Sequence, residues 1–366
     1  MRIIIINCFD TIEHRAELLR KIMRQEGHDV FVLTSDYRHI HKSRRIHAPD
    51  DYELIRVTQY IKNLSIARMV SHSGFARHAV ERVKQIKPDL LWVMIPPNSL
   101  GKRVAEYKKI APHCKVVFDI IDMWPESLPI LRYKKFPPLT NWAALRNKAL
   151  SKADLVVSES NLYWDILRKY CPAEKQTTLY LAKEKTEFAY DPDLPEDRIS
   201  LCYLGSINNI IDIPLIYKII KAIPAPVELN IIGDGESREE LIQKAENAGA
   251  HVVYHGIVYD QKLKQEIFDR CHFGLNIMKD TVYVGLTMKS IDYWEASLPI
   301  INNIKGDTWK FVEQKEIGIN YNGEDTIPLL ALTKIQERRR TIRSFFEDYF
   351  TEDIFAEQVI QILKDI

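Results

Sequence analysis

Cysteine is scarce in this chain: five among 366 residues, at positions 8, 114, 171, 202 and 271. An odd, scattered set without C-x-x-C spacing excludes a disulfide framework and a cysteine-based zinc site. It points to reduced thiols in a cytoplasmic setting. Long apolar runs are missing too, since nothing approaches the ~20 residues that span a bilayer. The opening MRIIIINCFD holds only four isoleucines before Asp10, Glu13 and Arg15, so it reads as a first buried strand and not as a leader. There is no repeat at a solenoid period and no low-complexity tract. Net charge is also small, +1 at pH 7. That balance hides an asymmetry: residues 1–190 carry 32 Lys+Arg against 21 Asp+Glu, and the remainder 19 against 29. A basic half beside an acidic half either faces an anionic partner or is drift in surface charge.

What is present is alternation. Short β-branched runs at 2–6, 29–33, 90–94, 115–120, 154–158 and 177–181 alternate with helical patterns at 11–26, 66–87, 99–110, 141–151 and 161–170. Continuous apolar strands separated by amphipathic helices predict a parallel sheet covered on both faces. Residues 186–198 are polar, acidic and contain two prolines, the composition of a linker. After it the runs restart at 200–205, 227–233, 251–256, 273–277, 299–303 and 318–321. The expected fold is α/β, with two doubly wound Rossmann-like domains: residues 1–185, then 199–340 after the linker. Helices over 341–366 follow, with the option of packing back on the first domain. Such a pair predicts a cleft with ligands at the carboxyl ends of the strands.

The stretch VGLTMKSIDYWEASLPIINN (284–303) concentrates charge near a predicted helix. Thr287 suits the N-cap. Lys289 then falls in the first turn, where a cation is unfavourable unless an anion is close. A phosphate there would bring backbone N–H groups, dipole and ammonium onto one anion. Asp292, three residues on, either accepts ribose hydroxyls or forms an ordinary i,i+3 ion pair with Lys289.

The run K-S-I-D-Y-W-E-A-S-L-P-I-I resembles a segment of retaining GT-B glycosyltransferases of family 4. The resemblance covers both halves in strand order, but its residue-level matches are confined to the second half and one N-terminal segment. It implies a nucleotide-sugar enzyme and assigns the ribose to the acidic residue seven positions before the proline, Asp292. CYLGSIN (202–208) is similar to the family's first glycine turn, with Gly205 and Ser206 at the diphosphate. IIGDGESREEL (231–241) looks like the second turn, with Gly233. VVYHGIV (252–258) looks like the strand end at the base, with His255, Gly256 and Ile257. The chain departs from the family in three ways. Val284 stands where a sugar-contacting glutamate is usual, Ser206, Asn208 and Asn209 replace the usual basic clamp, and Asp replaces Glu at 292.

In the first half, VVFDIIDMWPESLPI (116–130) carries carboxylates at the end of a strand and is similar to the D-l-W-P-e-s segment of bacterial polysaccharide glycosyltransferases. Asp122 is the expected catalytic residue, with Asp119 and Glu126 behind it; the alternative for Asp122 is capping of the next turn. The glycine-free loop NCFDTIEHR (7–15) holds Cys8, a poor nucleophile without a cation to lower its pKa. His39, His41 and His47 have no metal-ligand spacing, so no metal and no resident cofactor are expected. The basic stretches HIHKSRRIH (39–47) and LRYKKFPPLTNW (131–142) suit either an anionic membrane surface or solvent. No nucleic-acid-binding module accompanies them. The resemblance thus implies transfer from a UDP-sugar to a glycan or lipid-linked glycan of surface polysaccharide or capsule, on the inner face of the membrane. The alternatives are a UDP-sugar 2-epimerase on the same fold and a non-catalytic partner subunit.

Overall fold

The computed structural model describes residues 1–63, 65–128, 136–187, 193–323, 326–327 and 339–366. It divides into two compact units, Met1–Ala182 with Phe355–Ile366, and Lys183–Ile354.

The first unit runs β1 (Arg2–Asn7), α1 (Glu13–Gln25), β2 (Asp29–Ser35), β3 (Tyr37–Arg38), β4 (Ser43–Arg44), β5 (Tyr52–Ile55), α2 (Ile66–Ile86), β6 (Leu90–Ile95), α3 (Asn98–Ile110), β7 (Lys115–Ile120), α4 (Pro137–Leu150), β8 (Leu155–Ser158), α5 (Trp164–Leu167) and β9 (Gln176–Thr178). Its sheet has the order β5-β2-β1-β6-β7-β8-β9, parallel throughout, and β3 and β4 form a separate antiparallel ribbon. The isoleucines of β1 are all buried, as befits a strand covered on both faces. Helix α4 begins four residues before the apolar pattern starts. Pro137 and Pro138 occupy its first turn, where a missing N–H costs nothing.

The second unit repeats the plan: β10 (Ile199–Leu204), α6 (Ile213–Ala222), β11 (Val227–Ile232), α7 (Arg238–Asn247), β12 (Ala250–Gly256), α8 (Gln261–Asp269), β13 (Phe273–Asn276), α9 (Met288–Glu295), β14 (Ile300–Asn302), α10 (Asp307–Lys315), β15 (Gly318–Asn320) and α11 (Arg339–Tyr349). Its sheet reads β12-β11-β10-β13-β14-β15, again parallel. A final helix, α12 (Glu352–Asp365), returns the chain to the first unit. Its Phe355, Val359 and Ile362 share one face and join the core of Ile3, Val30 and Trp92. Burying each such side chain stabilises by about 1.5–3 kcal/mol.

In both sheets the strand order reverses beside the first strand, between β1 and β6 and between β10 and β13. Those are the switch points where doubly wound sheets place ligands, at the carboxyl edge.

Asp119 is central to the first core. It is 0% exposed. Arg15 grips both its carboxylate oxygens, at 2.9 and 3.0 Å, and the Trp92 indole donates at 2.9 Å. Arg15 also donates to the carbonyls of Leu179 and Tyr180. The pair therefore ties α1, β6, β7 and the segment after β9 together. Asp119→Asn leaves a buried guanidinium without its counter-charge and is expected to destabilise by about 3–5 kcal/mol in urea unfolding. Unchanged stability with lost activity would instead make Asp119 catalytic.

Candidate functional site

At the switch point of the second sheet, three strand ends converge. The ladder between β10 and β13 pairs Leu201 with Phe273 and Cys202 with Gly274, and goes no further. The Tyr293 hydroxyl takes over there, donating to the Cys202 carbonyl at 3.0 Å and accepting the Leu204 N–H at 2.7 Å. The ring needs the space of Gly274, where a Cβ would lie 2.6 Å from it. Tyr293 thus fixes α9 against β10.

The glycine turns follow. Gly205 has φ +113°, and its N–H donates to the Ile232 carbonyl at 2.8 Å. Gly233, φ +135°, donates to the Gly256 carbonyl at 2.7 Å. A Cβ on Gly233 would meet the Gly205 carbonyl oxygen at 2.0 Å, so only glycine lets the two turns touch. Ser206 is exposed, and its carbonyl accepts from the Tyr203 hydroxyl.

Helix α9 starts beside these turns. Thr287 is its N-cap, accepting the Ser290 N–H at 3.1 Å and donating to Asn276 at 3.0 Å. Asn276 continues a buried ladder: its amide donates to Asn302 at 2.9 Å, and Asn302 donates to Asn320 at 2.8 Å. Parallel register places the three asparagines side by side on β13, β14 and β15. This ladder holds the cap in place. Lys289, in the first turn, has its ammonium 4.0 Å from the centre of the Tyr203 ring, and its Cε would touch a Cβ placed on Gly205. Among the described residues no carboxylate pairs with it. Burial pushes its pKa down to about 7, against an opposing contribution from Cys202. The i,i+3 pair with Asp292 is absent.

Asp292 turns to Lys183, which also pairs with Glu295. Glu295 accepts the Thr186 N–H at 3.0 Å as well. Lys183, just outside the second sheet, carried no sequence signal. Its pKa is raised: burial pulls it down, and the two carboxylates outweigh that. The Asp292 carboxylate remains partly accessible, at 20% side-chain exposure against 5% for Glu295.

Gly256 joins the glycine turns, whereas the imidazole of His255 bonds Asn230 at 2.8 Å and lines a cavity of about 470 Å³ with Arg198, Glu228 and Arg270. Ile257 is exposed. Lys279 was also missed: its ammonium donates to the Asn209 carbonyl at 2.7 Å, bringing a cation to the loop after the first glycine turn.

On the first unit, the three candidate carboxylates have different surroundings. Asp119 is engaged by Arg15, as above. Glu126 is held by the fully buried Arg146 at 2.7 and 3.1 Å. Asp122, half-buried, has no ion-pair partner among the described residues. Burial raises its pKa, offset in part by hydrogen bonds from Ser127 and the Met123 backbone. Cys8 is buried and its thiol pKa pushed up, which removes it as a thiolate. In the 39–47 stretch, Arg44 pairs with Asp36 and Arg45 with Glu13, so two of its cations are neutralised within the unit. Residues 131–135 of the second basic stretch, residues 129–130 of the acidic one and residues 188–192 of the linker lie outside the described residues. No described helix is long and apolar enough to cross a membrane.

No protein-family model matches the sequence, and no curated protein matches it significantly. Solved structures do. Lipopolysaccharide outer core galactosyltransferase WaaB aligns with a TM-score of 0.71 at 12% identity over 100% of both chains. Sucrose-phosphate synthase from Thermosynechococcus elongatus gives 0.72 at 14% identity, over 100% of this chain and 98% of that one. Anabaena HepE in complex with UDP gives 0.71 at 12% identity over 100% of both. At such identities the likeness is one of fold, and the fold of this chain is GT-B, two doubly wound parallel-sheet domains in succession.

Proposed function

We propose that this protein is a glycosyltransferase that moves a sugar, with retention, from a UDP-sugar to a glycan or lipid-linked glycan acceptor. The observation that carries the reading is Lys289: an ammonium with no carboxylate partner among the described residues, at a helix N-terminus, against the Gly205 turn, at a sheet switch point. Those features together fit a diphosphate. In this reading Gly205, Ser206 and Gly233 let the backbone approach it, and Thr287 orients the helix end. Asp292 accepts the ribose hydroxyls, and the strand end at His255, Gly256 and Ile257 borders the base. The bond from the sugar carbon to the diphosphate breaks, the bond to the acceptor oxygen forms, and the acceptor proton leaves with the diphosphate. Lys289 and the helix end stabilise the charge that develops there. Asp122, with no ion-pair partner among the described residues and a raised pKa, is the carboxylate that would orient the acceptor hydroxyl by accepting its hydrogen bond. The reading needs no metal. That UDP and UDP-glucose complexes of HepE share this fold supports it.

A nucleotide panel tests it. UDP and UDP-sugars are expected to raise Tm, since a ligand of the folded state stabilises it, while adenine and guanine nucleotides do not. Asp292→Ala should weaken UDP by roughly tenfold or more in calorimetry, the loss of a charge-assisted pair of hydrogen bonds. No response to any uridine nucleotide would end the proposal.

A further inference from the structure

Among the described residues the first unit has three deeply buried arginines, and one differs from the other two. Arg15 holds Asp119 with two bonds and Arg146 holds Glu126 likewise. Arg68, in the first turn of α2, is 8% exposed, and no carboxylate lies within ion-pair distance among the described residues. It donates to the Asn63 carbonyl at 2.8 Å and to the His72 imidazole at 3.4 Å, and the Tyr60 hydroxyl also interacts with it. Around it stand aromatic rings, with Trp124 at 4.3 Å and Phe9 and Tyr60 each at 5.8 Å. Aromatic faces attract a cation but do not cancel its charge. A buried charge without a counter-charge is expensive, and sites that keep one commonly receive the opposite charge from a ligand.

The neighbours reinforce the imbalance. Burial, then Arg68, pushes His39 down to about 4 and His72 to about 3, so both are neutral at physiological pH. Lys42 adds a second cation, 5.0 Å from the Tyr60 ring and bonded to Asn63 at 2.6 Å. Asp10 accepts the His39 N–H, and Asp122, half-buried after β7, acts on Arg68 only through its field; neither forms an ion pair with it among the described residues.

The cluster's place in the fold favours a ligand. Phe9 follows β1, His39 lies in the turn of the β3–β4 ribbon that follows β2, Tyr60 follows β5 and Trp124 follows β7, so these residues lie beyond the carboxyl edge of the first sheet. At the same edge, flanking the switch point between β1 and β6, two buried polar atoms find no partner among the described residues: Asn7 Nδ2 and Asn98 Oδ1.

We propose that this edge binds an acceptor bearing an oxyanion, a carboxylate or a phosphate, which pairs with the Arg68 guanidinium. The planar fork of arginine matches both groups with two parallel bonds. His39 and Lys42 are the half-buried members of the cluster, and neutral His39 and His72 can donate to the same anion. The acceptor role rests on the transferase proposal; the oxyanion site stands without it.

The full chain is titrated with glucuronate, inorganic phosphate and glucose, by thermal shift and calorimetry. Glucuronate or phosphate is expected to bind and glucose not to; the stronger of the two identifies the anion. Arg68→Gln should lose at least tenfold in that affinity while its UDP response stays at the wild-type level, which also reports that it folds. In the wild type, the ring resonances of His39 and His72 should move on adding the anion, a readout that needs no variant. The proposal is overturned if neither anion binds, if Arg68→Gln binds as well as wild type, or if both imidazoles stay unmoved. A wild type that takes the oxyanion but no UDP would strike the donor assignment alone.

Discussion

Lys289→Met is expected to lower UDP affinity by roughly 10- to 100-fold, the worth of one charge-assisted contact in a shielded site. At the same time the ligand-free protein should become more stable. The reason is the ammonium's desolvation, which no carboxylate among the described residues offsets and which leaves the pKa at about 7. The unfolded lysine titrates near 10.4. Between those values the unfolded chain binds a proton that the folded one gives up, so wild-type stability rises with pH from about 7 towards 10. The methionine variant should lose that slope. A bound diphosphate favours the charged ammonium, so wild-type UDP binding takes up a proton near neutrality and weakens as pH rises above about 7. Calorimetry in two buffers of different ionisation heat reads the uptake directly. A Lys289→Met protein that binds UDP as wild type does would remove the diphosphate assignment.

Gly233→Ala is expected to be the most damaging single methyl in the second unit. Its φ of +135° is closed to side chains, and the new Cβ would sit 2.0 Å from the Gly205 carbonyl oxygen. Neither backbone can yield easily, because β10 and β11 are paired along their whole length from Ile199 to Leu204. Backbone strain of about 1–3 kcal/mol adds to the clash, so a loss of at least ~3 kcal/mol in denaturant unfolding is expected, together with loss of UDP binding. Gly249→Ala is the comparison: its φ is also positive, +94°, but nothing lies within 4 Å of the added carbon. That change should cost about 1–2 kcal/mol. Equal stability of the two variants would mean that the Gly205–Gly233 contact yields.

The regular elements were largely legible. Apolar runs, helical periodicity and glycine turns are properties of short windows, and the windows at 2–6, 227–233 and 287–296 correspond to β1, β11 and capped α9. Strand β5, YELI, escaped notice because a short edge strand half-covered by neighbours carries no apolar run. The two prolines of α4 masked its first turn for a similar reason: locally they resemble a loop.

Side-chain pairing was a different matter. Arg15 and Asp119 are 104 positions apart, and Lys183 and Asp292 are 109 apart. No local pattern announces such pairs, because the order of strands in the sheet decides which helix face meets which strand end. Thus the sequence alone determined two doubly wound sheets, the glycine turns and a cap at Thr287, since each depends on backbone preference within a few residues. Tertiary structure alone decided which charges are engaged. Asp119, Glu126 and Glu295 found cations, whereas among the described residues Lys289 and Arg68 pair with no carboxylate. Burial makes those two solitary cations costly to keep, and an anionic ligand would relieve that cost.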